Sequence, residues 1–204
     1  MTFAERAAAR GVETQRARAA DEVAALVEAG LAVLKRDGVS GLTVAEVLAE
    51  AGLSTRAFYR HFASKDELVL AIYEQDSHRA HDRLRRQAQG ARTPRAALEV
   101  WIDETLALGF DARRARRTRV LAAEGARVQA EHPAEFAMIV RGVLEPLVEV
   151  LAAVPSPDPE RDAQSIHAIT WQFVVDKLHG SDIALADARA HVLRFALPAL
   201  GMKR

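Results

Sequence analysis

The sequence predicts an all-α protein, with an N-terminal three-helix helix-turn-helix domain followed by a larger C-terminal helical bundle. Half of the residues are hydrophobic and only 5% are aromatic, and alanine, leucine, arginine and glutamate are abundant, which favours helices over strands. Apolar residues recur at helical spacing along most of the chain. Prolines at Pro94, Pro133 and Pro159 stand where the first residue of a helix needs no N–H.

The first helix with a clear apolar face is predicted from about Ala19 to Arg36. Asp37-Gly38 is expected to end it, because glycine commonly terminates helices. We interpret residues 1–18, which are rich in arginine and alanine, as a mobile arm with some helical character. The apolar positions with helical spacing are Val23, Leu26, Val27, Leu31 and Leu34.

A short helix, a glycine turn and a second short helix follow. Thr43 and Glu46 form a capping box, which predicts a helix over 43–51. Gly52-Leu53-Ser54 predicts a tight turn, with Ser54 capping the next helix. This order matches the helix-turn-helix layout, in which the second helix enters the major groove of DNA.

Longer helices are predicted in the rest of the chain. A second capping box, Ser64 to Glu67, starts the first of them. Pro146 falls inside another and is expected to kink it, because its ring clashes with the carbonyl of Gly142. The predicted ranges are 64–89, 94–109, 112–129, 133–153, 159–179 and 184–200.

The second short helix has two chemically different sides. Leu53, Phe58 and Phe62 are predicted to pack inward, which turns a polar and basic side outward and leaves His61 at its edge. An outward arginine can donate two hydrogen bonds to guanine, and a threonine can contact a base edge or a thymine methyl. Hydroxyl, imidazole and ammonium groups suit phosphate oxygens. The outward residues are Thr55, Arg56, Tyr59 and Arg60, and the phosphate candidates are Thr43, Tyr59, His61 and Lys65.

Residues 43–68, TVAEVLAEAGLSTRAFYRHFASKDEL, closely resemble the DNA-binding motif of the TetR/AcrR family of one-component transcriptional regulators. The resemblance covers about residues 19–75, and beyond residue 90 it is one of architecture only. It implies a homodimer with three DNA-binding helices and a ligand-binding bundle. It also implies base reading by Thr55, Arg56 and Ala57. The full set of candidate DNA-binding residues is Thr43, Ser54, Thr55, Arg56, Ala57, Tyr59, Arg60, His61 and Lys65.

The resemblance places dimerisation on the last two long helices, near 159–179 and 184–200. About half of the apolar residues there are expected to be ordinary core. The middle helices are the expected site of an apolar pocket for a small-molecule inducer. Its candidate lining residues, each of which core packing also explains, are Trp101, Phe110, Phe136, Met138, Ile139 and Val143.

The leading hypothesis is a homodimeric repressor that a small-molecule ligand releases from a palindromic operator. A regulator that activates, a helical protein-interaction adaptor and an enzyme are the alternatives. The enzyme is least supported, because the chain shows no glycine-rich phosphate loop or nucleophile elbow. No cofactor is expected. The paired His78 and His81 lack a third ligand, so no metal is expected either.

The predicted domains are the arm 1–18, the DNA-binding domain 19–66 and the ligand-binding and dimerisation domain 67–204. The net charge is 0, so any nucleic-acid contact must come from a local basic patch. The arginine-rich segment 113–119 is the densest charge, and a solvated helix face explains it more simply than an anion site. The chain has no cysteine and no long apolar run, so we expect a cytoplasmic protein without a membrane partner.

Overall fold

The computed structural model describes residues 2–202, with side chains except at positions 4, 7, 39, 89 and 123. This range contains helices and no strand, which confirms the all-α class. The chain divides into two compact units, Met1–Tyr73 and Glu74–Arg204. Residues 1, 203 and 204, which the predicted domains include, lie outside the described residues. The helices are α1 (Phe3–Gly41), α2 (Val44–Ala51), α3 (Thr55–His61), α4 (Lys65–Gln89), α5 (Pro94–Phe110), α6 (Ala112–Glu131), α7 (Pro133–Leu151), α8 (Pro159–Leu178) and α9 (Leu185–Ala199).

Helix α1 is longer than the apolar pattern predicts. It begins at Phe3, whereas the pattern placed its start near Ala19. Residues 8–18 are all exposed, so no core packing marks this part of the helix. The high helix propensity of its alanines and arginines explains the extension. At the other end Gly38 has a φ of 71°, which interrupts the helix at the predicted place.

The hydroxyl parts of both predicted capping boxes are present. Thr43 Oγ1 accepts from the Glu46 backbone N–H at 3.2 Å, and Ser64 Oγ accepts from the Glu67 N–H at 3.2 Å. The Glu67 carboxylate reaches back to the N–H of Ala63 at 2.6 Å, rather than to that of Ser64. These local bonds explain why the starts of α2 and α4 could be predicted from short sequence patterns.

The second unit is a helical bundle whose helices start at the predicted prolines. Pro94, Pro133 and Pro159 are the first residues of α5, α7 and α8. Gly109 on α5 packs tightly on α8, since a Cβ at this position would lie 2.9 Å from the carbonyl oxygen of Val174. None of the described helices combines the length and apolar character needed to cross a membrane. The fully buried large residues of this bundle are Leu98, Ile102, Leu106, Leu147, Leu151 and Leu200.

Helix α7 continues through Pro146 to Leu151. Proline has no N–H, so the carbonyl of Gly142, four residues earlier, loses its helical donor. His81 Nδ1 donates to this carbonyl at 3.0 Å. On the same side of α4, Ser77 Oγ donates to the carbonyl of Ile139 at 3.2 Å. His81 is therefore a structural donor to α7.

Candidate nucleic-acid interface

The turn between α2 and α3 is built by local hydrogen bonds. Gly52 adopts a left-handed conformation with a φ of 65°, which glycine tolerates without steric cost. The N–H of Leu53 donates to the carbonyl of Leu48 at 3.2 Å and closes the end of α2. Ser54 Oγ accepts from the N–H of Ala57 at 3.2 Å and starts α3. The predicted turn and the predicted cap are both confirmed.

The inner face of α3 packs into the core of the first unit. Phe58 is 0% exposed, and its ring centroid lies 5.7 Å from that of Phe62. Ala57 is also buried, at 5% exposure, which leaves its side chain little surface for the predicted base contact. At about 100° per residue, Ala57, Phe58 and His61 share one arc of the helix, which places Ala57 on the inner side.

The outer face of α3 consists of Thr55, Arg56, Tyr59 and Arg60, all of which are exposed. Tyr59 is 58% exposed, and the edge of its ring contacts Phe58, with a centroid separation of 5.2 Å. Arg56 has no ion-pair partner among the described residues. Its guanidinium is therefore free to donate to an external acceptor.

Arg60 and His61 differ from Arg56 because a carboxylate on α1 binds both of them. Glu22 Oε2 accepts from Arg60 Nη2 at 2.6 Å and from His61 Nε2 at 2.8 Å. The hydrogen bond from His61, and then that from Arg60, lower the pKa of Glu22 against the opposing effect of burial. The His61 side chain is only 9% exposed and bonds to α1, which leaves little of it for the predicted phosphate contact. Sequence reasoning missed Glu22, which is far from α3 along the chain.

Three further candidates lie at helix starts around α3. Thr43 and Ser54 are the exposed N-cap residues of α2 and α3, and both side chains already accept one backbone N–H. Lys65 is the first residue of α4 and is half-buried. It has no ion-pair partner among the residues that the structure describes.

The six candidate ligand residues do not form one lining. Trp101 is 2% exposed within the bundle core, with Phe110 packed against that core. Met138 is 72% exposed, so it cannot line an enclosed pocket in this structure. Phe136, Ile139 and Val143 are half-buried on α7. The helix period explains the spread, because residues 136, 139 and 143 share one side of α7 and residue 138 projects away from it.

Most arginines of segment 113–119 have internal partners. Arg114 Nη1 donates to Glu104 at 2.9 Å, and Arg119 Nε donates to the carbonyl of Leu178 at 3.3 Å. Arg117 forms an ion pair with Asp76. These bonds connect α6 to its neighbours in the bundle and leave only the exposed Arg113 and Arg116 as a solvated face.

Helices α8 and α9 expose apolar side chains together. Phe195 is 53% exposed and Leu185 is 45% exposed. The His191 ring connects Phe173 of α8 to Phe195, with centroid separations of 5.3 and 5.0 Å. A shallow groove between the two helices is lined by Ser165, Ile166, Ile169, Val192, Phe195, Ala196 and Ala199, among others. Other apolar residues of these helices belong to the buried core, among them Ile166, Val174, Val192, Leu193 and Leu197.

A glycine turn that holds an exposed basic helix against a second helix is the helix-turn-helix arrangement of DNA-binding proteins. A family model described as bacterial regulatory proteins of the tetR family matches residues 26–72. The HTH-type transcriptional regulator CymR of Pseudomonas putida is 40% identical over 75 residues, which is 35% of this chain and 37% of that protein. The alignment thus spans well under half of that relative.

Solved structures share the fold over nearly the whole chain. A TetR-family transcriptional regulator from Pectobacterium atrosepticum has a TM-score of 0.76 at 19% identity, covering 93% of this chain and 99% of that one. The transcriptional regulator FadR from Bacillus subtilis, in complex with stearoyl-CoA, has a TM-score of 0.66 at 16% identity, covering 86% and 97%. The match to the tetR family model over residues 26–72 agrees with the family resemblance of the motif at 43–68. The family model and the curated relative are both described as regulatory proteins.

Proposed function

We propose that this protein is a DNA-binding transcriptional regulator, a homodimeric repressor that a small-molecule ligand releases from a palindromic operator. The division of α3 into two faces carries the proposal. Phe58 and Ala57 anchor the helix in the core, while Arg56 and Tyr59 stand exposed on the opposite side. An anchored helix that exposes an arginine without an acidic partner is suited to binding an anionic surface such as DNA.

The exposed residues divide by the part of DNA that they suit. Arg56 can donate a bidentate pair to guanine O6 and N7, and Thr55 can contact a neighbouring base. Tyr59, Thr43 and Lys65 suit phosphate oxygens, which position the protein without reading sequence. Ser54 already bonds the backbone through its hydroxyl, which leaves one oxygen lone pair for a further contact.

A dimer through α8 and α9 supplies the second recognition helix. The exposed Phe195 and Leu185 give this surface the apolar character that stable interfaces bury. Two recognition helices that read a palindrome must lie about 34–36 Å apart, one DNA turn, or a multiple of that distance. A ligand that binds more tightly to a dimer whose recognition helices have a spacing unsuited to DNA lowers the affinity for DNA. The size of the decrease equals the difference between the ligand's affinities for the two conformations.

The proposed ligand is an apolar small molecule bound within the second unit. The half-buried Phe136, Ile139 and Val143 offer apolar surface on α7. The indole N–H of Trp101 is buried and has no acceptor among the described residues. Such a group costs about 1–3 kcal/mol when unsatisfied, so a ligand with one well-placed acceptor gains from binding it. The stearoyl-CoA bound to the Bacillus subtilis neighbour is a precedent for a small-molecule ligand in this fold.

Selection of bound duplexes from a random DNA pool tests the function. The purified protein is used at about 150 mM salt, because binding to phosphates depends steeply on ionic strength. We expect enrichment of a palindrome by the native protein. Arg56→Ala, processed in parallel, should enrich a degenerate sequence at one position in each half-site, whereas the exposed control Arg113→Ala should recover the native palindrome.

A ligand that copurifies with the protein can mask its activity, so the selection is repeated after unfolding, stripping and refolding. Recovery of unpatterned sequence by both preparations contradicts the proposed function. A palindrome that appears only after stripping supports the ligand-released repressor. A palindrome from both preparations then serves as the probe in a screen for small molecules that release it.

A further inference from the structure

Among the ion pairs of the described residues, Glu22 is the only acid that contacts α3, the proposed recognition helix. Its Oε2 atom accepts from both Arg60 and His61, and its side chain is 14% exposed. Arg18, one turn earlier on α1, lies 3.6 Å from the other oxygen and is 83% exposed. The basic side chains around this carboxylate are thus Arg18 from α1 and Arg60 and His61 from α3.

The inner face of α3 is anchored independently of this pairing. Phe58 and Phe62 already bury the inner face of the helix, at 0% and 7% exposure. A mostly buried carboxylate gives weak support to stability, because its desolvation offsets much of the attraction that it gains. The position of Glu22 is therefore better explained by what it does to the charge of the helix.

Arg60 belongs to the outer face by helical geometry. It lies roughly 40° from Arg56 around the helix, and its side chain remains 54% exposed. Its guanidinium nevertheless bonds to α1, whereas that of Arg56 has no partner in the described part of the chain. The structure thus leaves one arginine of the face available to DNA and neutralises its neighbour.

We propose that Glu22 is a specificity-determining residue for the proposed DNA binding, because it withholds Arg60 from the phosphate backbone. A free arginine on this face adds affinity for any duplex, since phosphates are the same in every sequence. With Arg60 held by Glu22, recognition depends more on the base contacts of Arg56 and Thr55. His61, bound to the same carboxylate oxygen as an Nε2–H donor, keeps that oxygen in place. This inference rests on the proposed function.

Glu22→Gln tests the inference, because it removes the charge and nearly preserves the shape. Binding of the full-length protein to the selected operator and to a scrambled duplex is measured by fluorescence anisotropy from about 50 to 200 mM salt. We expect Glu22→Gln to bind the scrambled duplex more tightly and to lower the ratio of specific to non-specific affinity. One additional phosphate contact steepens the salt slope by about 0.9, which adds a loss of roughly 3- to 4-fold across this range.

Arg60→Gln in the Glu22→Gln background should return the slope for the scrambled duplex to that of the native protein. Arg18→Gln is the matched control, because it removes an exposed cation beside Glu22 without releasing Arg60. Should Glu22→Gln fail to fold, Glu22→Asp shortens the reach to Arg60 and should steepen the slope in the same direction.

The outcomes separate this inference from the function on which it rests. An unchanged salt slope in Glu22→Gln, with native operator binding intact, overturns the role of Glu22 alone. A steeper slope that persists in Glu22→Gln/Arg60→Gln also overturns it, because the released charge is then not that of Arg60. A native protein that binds operator and scrambled duplex equally overturns the proposed function itself.

Discussion

The two units of the chain use the same basic residue types for different purposes. In the first unit Arg56 is exposed and has no acidic partner among the described residues. In the second unit Arg114 and Arg117, from the densest basic segment, are bound by Glu104 and Asp76. A basic residue therefore indicates a binding surface only where the fold leaves it unneutralised. Local charge density alone would therefore not have identified the exposed face of α3.

The largest expected effect comes from a substitution in the core of the first unit. Phe58→Ala removes a fully buried ring, and we expect a loss of about 3–5 kcal/mol in stability together with loss of DNA binding. The neighbouring Tyr59→Ala should cost about 0.5–1.5 kcal/mol, the value of its ring contact with Phe58, and should weaken DNA binding without unfolding. Thermal unfolding followed by circular dichroism measures both. Equal destabilisation by the two variants contradicts the division of α3 into two faces.

The second effect concerns the surface on α8 and α9. Phe195→Glu places a charge on an exposed apolar residue of the proposed interface. We expect the free energy of dimerisation to weaken by about 2 kcal/mol or more, as for other interface anchors. Sedimentation velocity at micromolar concentration should show a dimer for the native protein and a monomer for the variant. The exposed Met138→Glu is the matched control and should remain dimeric. A native protein that sediments as a monomer contradicts the dimer.

The third effect tests the contrast between free and bound arginines directly. Arg56→Ala should lose about 1–3 kcal/mol of binding at particular operator positions, because a bidentate base contact is lost. Lys65→Ala should instead weaken binding to all duplexes and reduce the salt slope by about 0.9. Competition titrations with single-base operator variants distinguish the two patterns. A uniform loss on all duplexes for Arg56→Ala removes it from base reading.

Local features were predictable from the sequence because short-range bonds determine them. The turn at Gly52, the hydroxyl caps Thr43 and Ser54 and the proline at the start of α5 all depend on residues within one helical turn. The start of α1 was wrong because the apolar pattern begins at Ala19, whereas helix propensity extends the helix to Phe3. The apolar pattern cannot show where a helix begins when the first turns of that helix bury no side chain.

Long-range partners could not be predicted in the same way. The bond between Glu22 and His61 joins residues 39 positions apart, and no local pattern indicates which acid reaches the recognition helix. The bond between His81 and Gly142 joins residues 61 positions apart. In this case the sequence identifies the acceptor, because Pro146 leaves the carbonyl of Gly142 without its helical donor. Only the structure identifies His81 as the residue that donates to it.

The fourth prediction concerns the hydrogen bond between His81 and the carbonyl of Gly142. His81→Leu leaves the Gly142 carbonyl without its donor, and we expect a loss of about 1–3 kcal/mol measured by thermal unfolding. Pro146→Ala restores a backbone N–H at the helical position, so His81→Leu should cost less in that background. His78→Leu, an exposed histidine on the same helix, should change stability by less than about 0.5 kcal/mol. An equal cost of His81→Leu in both backgrounds removes the carbonyl as the cause.

The smallest expected effect concerns the half-buried histidines of the two units, which have different surroundings. His61 faces the carboxylate of Glu22, whereas the ring of His167 lies between those of Trp101 and Trp171, at centroid separations of 5.9 and 6.0 Å. Burial in this aromatic site lowers the pKa of His167 from its usual 6.5. The unfolded chain therefore binds a proton at a higher pH than the folded protein does, and stability is lost as the pH falls below 6.5.

His167→Phe removes this titration and retains an aromatic ring. We expect the melting temperature of the native protein to fall more than that of His167→Phe between about pH 7.5 and pH 5.5, the range in which an ordinary histidine gains its proton. His179→Gln, a change at an exposed histidine of the same unit, should follow the native curve. Parallel curves for the native protein and His167→Phe contradict the role of burial. Curves that diverge as the pH falls show that protonation of His167 destabilises the bundle.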